Sequence, residues 1–187
     1  MKTLRFKTLS LFLIAGLIWT FQNSYSQNVK LDRQERKEVR KAQRTANYYM
    51  LDTLLHARNF VLVADYLKNQ YGDMIPVSSM LNFIRINGNY GVIQTGSNFS
   101  RGYNGVGGVT AEGNVGNWEV FRDPKRLTHR LRFSLITNIG HYDVTMIVSS
   151  DNRATATVTG LWRGRLTWDG HLQTGGNSRV FKGQNTI

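Results

Sequence analysis

Cysteine is absent from all 187 residues. That removes disulfides, a thiol nucleophile, thiolate zinc sites and the acceptor thiol of a lipoprotein. A domain so made must be held together by its hydrophobic core. Acidic residues are scarce, with 12 Asp and Glu against 24 Lys and Arg. They form no Asp-x-Asp run or Glu pair that would suggest a calcium loop or a carboxylate dyad. Gly-x-Ser-x-Gly is missing. His56, His129, His141 and His171 include no His-x-x-x-His pair, so they read as scattered surface histidines rather than a zinc site. No metal and no cofactor are expected. Local motifs give no enzyme, although triads assembled in space leave that question open.

Long hydrophobic runs are missing as well, with one exception at the start. Lys2, Arg5 and Lys7 precede an apolar stretch from Leu9 to Phe21, which ends in the polar Gln22-Asn23-Ser24-Tyr25-Ser26-Gln27. A basic region, an apolar core and small residues at −3 and −1 spell a secretory signal peptide over residues 1–26, cut near Ser26/Gln27. The core is shorter than the roughly 20 apolar residues of a spanning helix, so no transmembrane anchor is expected after cleavage. The expected location is the periplasm or the medium. The remaining 161 residues suffice for one domain of ordinary size.

Without the three bases of the leader, the excess of positive charge falls from twelve to nine. A basic exported protein is attracted to anionic surfaces. An anionic envelope component or a glycan is therefore the expected partner, and nucleic acid is not. The charge is concentrated: Asn28 to Arg44 holds seven bases and three acids. Asp32–Arg36 and Glu38–Lys41 are spaced to support a helix. Further on, Val39, Ala42, Ala46, Tyr49 or Met50, Leu54 and Ala57 recur at helical spacing. The pattern predicts a helix from about Asp32 to Arg58, with a solvated first half and a second half docked through that stripe.

Beyond it the period changes to two. Phe60 to Tyr66 is β-branched and apolar. Met80 to Ile86 and Tyr90 to Gln94 flank Asn87-Gly88-Asn89, a strong hairpin signal. Trp118 to Phe121 leads into the turn Arg122-Asp123-Pro124-Lys125. Leu131, Phe133 and Leu135 alternate with polar residues. So do Tyr142, Val144, Met146 and Val148, with Ile147 as an exposed exception, and Ala154, Ala156 and Val158 alternate with threonines. These features predict an α+β domain: an N-terminal helix, then an antiparallel β-meander sheet of roughly seven to eight strands. Its parts are a charged helical lead-in over 27–44, a single domain over 45–172, and a disordered tail over 173–187.

The order of these features, with Leu54-Leu55-His56-Ala57-Arg58-Asn59-Phe60-Val61-Leu62-Val63-Ala64, resembles the Bacteroidetes domain of unknown function 4251 family. Phe99-Ser100-Arg101-Gly102-Tyr103-Asn104-Gly105-Val106-Gly107-Gly108-Val109 is similar to that family's aromatic, glycine-rich loop. The stretches Arg132-Phe133, Tyr142 to Ser150 and Trp162-Arg163-Gly164-Arg165-Leu166 are similar too. The likeness covers about Lys37 to Leu166. It implies the fold and export, and brings no activity with it.

Two stretches are candidates for binding. Six glycines lie between Gly102 and Gly116, where backbone N–H groups could approach an anion. The Gly-x-Gly-x-x-Gly frame fails at Thr110, however, and a sharp turn followed by a crowded strand explains the glycines equally. Trp118, Trp162 and Trp168 with Tyr90 and Tyr103 could stack on sugar rings, or could be core. The residues chosen as a binding site are Arg101, Tyr103, Asn104, Trp162, Arg163 and Arg165. The function expected is a non-catalytic binding or envelope-associated module. The alternatives are a hydrolase acting on an envelope polymer and a structural partner in an envelope complex.

Overall fold

The computed structural model describes residues 32–97, 103–160 and 164–186. The expected signal peptide, Arg101, Trp162 and Arg163 lie outside them. The first element is a helix, α1 (Arg33–His56). Asp32 precedes it, and the Asp32 backbone N–H donates to Glu35 Oε2 at 3.0 Å, one half of a capping box. Arg58, at φ 51°, turns the chain out of the helix in the left-handed region.

Nine strands follow: β1 (Asn59–Lys68), β2 (Met74–Pro76), β3 (Phe83–Asn87), β4 (Tyr90–Gln94), β5 (Thr110–Asp123), β6 (Thr128–Thr137), β7 (Gly140–Ser149), β8 (Arg153–Thr159) and β9 (Arg165–Thr174). From β3 to β9 each strand pairs antiparallel with its successor, and β1 pairs with β3 on one side and β9 on the other. The expected meander is therefore a closed eight-stranded barrel, with β2 as a three-residue addition beside the end of β1. Closure pairs the two edges of the sheet with each other and so satisfies their backbone groups.

The alternation seen in the sequence decides which side chains fill the barrel. Leu131, Phe133 and Leu135 point in from β6, Val144, Met146 and Val148 from β7, and Ala154, Ala156 and Val158 from β8, all buried. Ile147 is exposed, as its place in the alternation requires. Two irregularities keep the phase. One is the register shift between Ala64 and Tyr66 in β1, the other that between Gly116 and Glu119 in β5. The strands coil tightly enough that a Cβ on Gly113 would stand 1.9 Å from the Ile136 carbonyl oxygen. At one end Trp168, fully buried, donates from Nε1 to the Gln94 carbonyl at 3.3 Å. Eight strands give an interior that side chains can just fill, and the inward residues named here are buried in it.

At the other end α1 docks by a face other than the expected one. Val39, Tyr49 and Met50 are more than half exposed, and Ala42, Ala46 and Ala57 are exposed too. Tyr48, Leu51 and Leu55 are buried instead, and of the expected stripe only Leu54 packs against the core. The reason is partly polar. Between Tyr48 and Leu55 lies Asp52, which reaches Arg122 of β5, and the alanine-rich stripe offers less area to bury.

Beyond Thr174 the described chain, through residue 186, returns to the barrel by backbone hydrogen bonds. Phe181 N–H donates to the Met80 carbonyl, Gln184 N–H to Asn104 and Thr186 N–H to Thr110, each at 2.9 Å. Val180 covers a small apolar cluster of Val61, Val63, Phe83 and Val92 on the outside of the barrel. These bonds are made by backbone, which carries no periodicity to read.

Candidate functional site

Three places gather polar side chains, and they do different things. The first is the loop before β5, where the glycines lie. Asn104 is completely buried, and its side chain is fully used: Nδ2 donates to the Thr95 carbonyl and Thr110 Oγ1, and Oδ1 accepts from the N–H groups of Val106 and Gly108. Nothing of it remains for a ligand. A Cβ on Gly108 would come within 2.2 Å of the Thr95 carbonyl oxygen, so this glycine serves close backbone approach. Tyr103 beside it is 81% exposed.

The second is the junction of α1 with the barrel. Arg122 donates to both oxygens of Asp52, from Nε at 2.7 Å and Nη2 at 2.9 Å, a two-pronged ion pair. His56 Nδ1 lies 2.8 Å from the Asp52 carbonyl, one turn back on the helix. His129 enters from β6, buried and stacked on the Tyr48 ring with centroids 4.3 Å apart. Its Nε2 is 3.3 Å from Asp52 Oδ1 without the alignment of a hydrogen bond, and Nδ1 has no partner. His129 is thus not the surface residue the spacing implied. Burial raises the Asp52 carboxyl, but the Arg122 bonds and charge outweigh it and hold it below the ordinary carboxylate range. Burial lowers the His129 imidazole, and Arg122 adds to this against the pull of Asp52. The ring is sealed from any substrate, so the cluster clamps the helix rather than performs chemistry. Among the described residues, no group of three His, Asp or Glu is placed to hold a metal.

The clamp has a pH signature. A buried imidazole with a lowered pKa leaves the unfolded chain the better proton acceptor as pH falls below about 6.5. Stability is therefore full above that value and declines as pH drops through the folded-state pKa. A second decline, from Asp52, begins near pH 3.8. Denaturant midpoints measured from pH 8 to 4 should show the first step in the wild type. In His129→Phe, which keeps the stack on Tyr48, that step should shrink. An unchanged profile would mean that His129 does not contribute.

The third place is an open polar groove of about 440 Å³ on the outer surface of β8 and β9. The outward residues of the two strands face each other in register as Thr155–Asp169, Thr157–Thr167 and Thr159–Arg165. The Thr157 and Thr167 hydroxyls lie 3.2 Å apart, and Lys68 of β1 extends that row. One wall is the tight turn after β1. There Asn69 Oδ1 accepts the N–H groups of Tyr71 and Asp73 at 2.9 Å, and Asn69 Nδ2 donates to Asp73 Oδ2 at 2.8 Å. This bonding fixes the turn and holds Tyr71, 82% exposed, at the rim. Among the described residues, no side-chain partner engages Lys68, Arg165 or Asp169.

Of the six residues chosen from sequence, Arg165 lines this groove. Tyr103 and Asn104 belong to the glycine loop and do not. Trp168, a candidate for the aromatic platform, is core, and Trp118 packs partly buried between Phe60 and Phe133. The threonines of the groove were visible as the polar half of the β8 alternation. Lys68, Asp169 and the Asn69 turn carried no signal, because only the β1–β9 pairing brings them together.

A helix-capped antiparallel barrel with its open polar surface on the outside defines the class of this protein. The chain belongs to the family described as domain of unknown function (DUF4251), whose model matches residues 42–172. It is similar to a DUF4251 family protein from Bacteroides eggerthii DSM 20697 with a crystal structure at 1.95 Å resolution. The two share 28% sequence identity and a TM-score of 0.61, over 73% of this chain and 93% of that one. No curated protein matches it. Among the described residues, no helix is long and apolar enough to cross a membrane.

Proposed function

We propose that this protein is an exported, non-catalytic binding module whose β8–β9 groove takes a hydroxylated, acidic ligand of saccharide type. The groove is the observation that carries this reading. Its threonine hydroxyls donate and accept, as sugar hydroxyls do, and Lys68 and Arg165 offer charge to a carboxylate or sulfate. Tyr71 at the rim offers an aromatic face. Pockets combine a few convergent polar groups in this way to fix a ligand's orientation. The inward positions of the described strands carry buried apolar side chains, which offer such a ligand few polar partners.

Export follows from residues 1–26, with cleavage near Ser26/Gln27 and a destination in the periplasm or the medium. The intact mass of the protein made by its own cells tests that step, and a mass that includes Met1 to Ser26 would refute it. The competing reading, a hydrolase acting on an envelope polymer, fares worse on the groove. Glycoside hydrolysis ordinarily needs two carboxyl groups across the scissile bond, and Asp169 is the one carboxylate in the lining.

Calorimetric titration with oligogalacturonate, against a neutral oligosaccharide of equal length, tests the binding site. The acidic sugar should bind with a dissociation constant in the range of about 10 µM to 1 mM. Arg165→Gln should weaken it about tenfold or more, as the loss of a charged hydrogen bond requires. No binding, or equal binding by Arg165→Gln, would remove the groove as the site.

A further inference from the structure

From Arg40 onward α1 turns an uncharged side to solvent. Ala42, Gln43, Ala46, Tyr49, Met50 and Thr53 are all exposed, Tyr49 and Met50 by more than half. At 3.6 residues per turn they fall within an arc of about 120°, along about 16 Å of the helix axis. That arc is centred nearly opposite Tyr48, Leu51 and Leu55, which are buried against the barrel. Arg40, Lys41, Arg44, Asp52 and His56 all fall outside it. A surface helix ordinarily shows charge on the side away from its core. This one leaves that side without any.

Helix propensity explains the two alanines but not an exposed tyrosine beside an exposed methionine. The face also has little polar demand. The Thr53 hydroxyl is already bonded to the Tyr49 carbonyl at 3.2 Å, one turn back. Tyr49 stands edge-on to the buried Tyr48 ring, with centroids 5.5 Å apart, so part of its freedom is lost before any partner arrives. Ala42, Ala46 and Met50 form one ridge at a spacing of four, and Tyr49 and Thr53 form the ridge beside it. The first ridge is small at two positions and large at the third.

We infer that this face docks a second copy of the chain, helix against helix, in a two-fold antiparallel pair centred near Ala46. Charge selects the occupant. The chain carries 24 Lys and Arg against 12 Asp and Glu, so cations are at hand to meet an acidic protein, a nucleic acid or an anionic membrane. This arc presents none of them. An equally uncharged surface fits it, and the same face of another copy is such a surface. Shape then selects the arrangement. With the axis at Ala46, Met50 of one copy comes opposite Ala42 of the other and Tyr49 opposite Gln43, so large meets small in both directions. Alanine at the crossing lets the two helix axes approach to about 8 Å. The pair buries about 800–1,000 Å², less than the roughly 1,200 Å² of a stable complex, so it forms and parts with concentration. This interface is separate from the groove, and its test does not depend on the groove's ligand.

The experiment is sedimentation equilibrium of the protein purified from cells expressing the full chain. Loaded from about 10 µM to about 1 mM, it should show monomer and dimer with a dissociation constant of about 100 µM. Raising salt from about 0.05 M to about 0.5 M should tighten the dimer a few-fold, because two cationic copies repel at long range and salt screens that repulsion. A46E sets like charges against each other on the axis and should weaken the dimer at least about tenfold. I136E adds the same charge at an exposed apolar position of β6 and should associate as wild type does. Circular dichroism confirms that each variant is folded. The absence of cysteine permits a second measurement. Under mild oxidation A46C should form a disulfide-linked dimer, because a residue on the axis meets its own counterpart within the about 4.4–6.8 Å between Cα atoms that the bond needs. I136C should stay monomeric. Monomer mass over the whole range would overturn the inference, and so would equal loss in A46E and I136E. If neutral phosphatidylcholine vesicles sediment the wild type and leave A46E in solution, the face meets lipid and the partner class is wrong.

Discussion

Gln94→Ala is expected to cost about 3 kcal/mol of stability and to release the chain beyond Thr174 from the barrel. Gln94 is completely buried, yet its amide is saturated. Nε2 donates to the carbonyls of Leu81 at 3.0 Å and Phe181 at 2.9 Å, while Oε1 accepts from Thr110 Oγ1 at 3.0 Å and the Gly183 N–H at 2.8 Å. Thr110 is in turn bonded to Asn104, so three buried polar side chains link the tail, the glycine loop and β4. Alanine leaves four groups without partners. Each unsatisfied buried group costs about 1–3 kcal/mol, reduced where water enters. A loss of about 3 kcal/mol lowers Tm by about 10 °C in a domain of this size. Thermal unfolding measures the loss, and limited proteolysis after Gly175 should become rapid. Removing residues 176–187 as well should add little, because the two changes break the same contacts. A tail that stays protected in Gln94→Ala would mean that Val180 and the backbone bonds hold it unaided.

Trp168→Ala should be costlier still, about 3–5 kcal/mol. Trp168 heads the largest fully buried side chains and fills the barrel beside Leu67 and Ala156. Alanine deletes its contacts and leaves a cavity that the closed strands cannot collapse. The change also tests the filled interior. The wild-type barrel should bind no fatty acid or apolar dye, whereas a cavity lined by apolar side chains is a place where such a probe can enter. Trp168→Phe, with a smaller void, should lose about half as much and keep the fold if the alanine variant fails to form it. Stoichiometric fatty-acid binding by the wild type would overturn the case for an external site.

What the sequence made legible was local. Asn87-Gly88-Asn89 announced the β3–β4 hairpin, and Gly88 takes φ 61° there. The alternation in β6, β7 and β8 named the interior residues, because a half-buried strand must alternate. Closure of the barrel had no such sign. It depends on β1 meeting β9, and Val61 opposite Gln173 is a pairing that no local pattern encodes. The helix showed one apolar stripe by spacing, yet it docks through Tyr48, Leu51 and Leu55. What decided was Asp52 meeting Arg122, 70 residues away. The groove fared likewise. Arg165 stood out as a cation beside a tryptophan, but its neighbours across β1 are set by the fold alone.

Closure by the first and last strands has a consequence for how the protein forms. Phe60 to Lys68 pairs with Thr167 to Thr174, so the barrel cannot seal until nearly the whole chain exists. Folds dominated by such distant pairings form in milliseconds to seconds rather than microseconds, because the entropy of a long loop is lost before the contact is made. A chain made from its N-terminus stays open while it is being made, and its completion is a single late event.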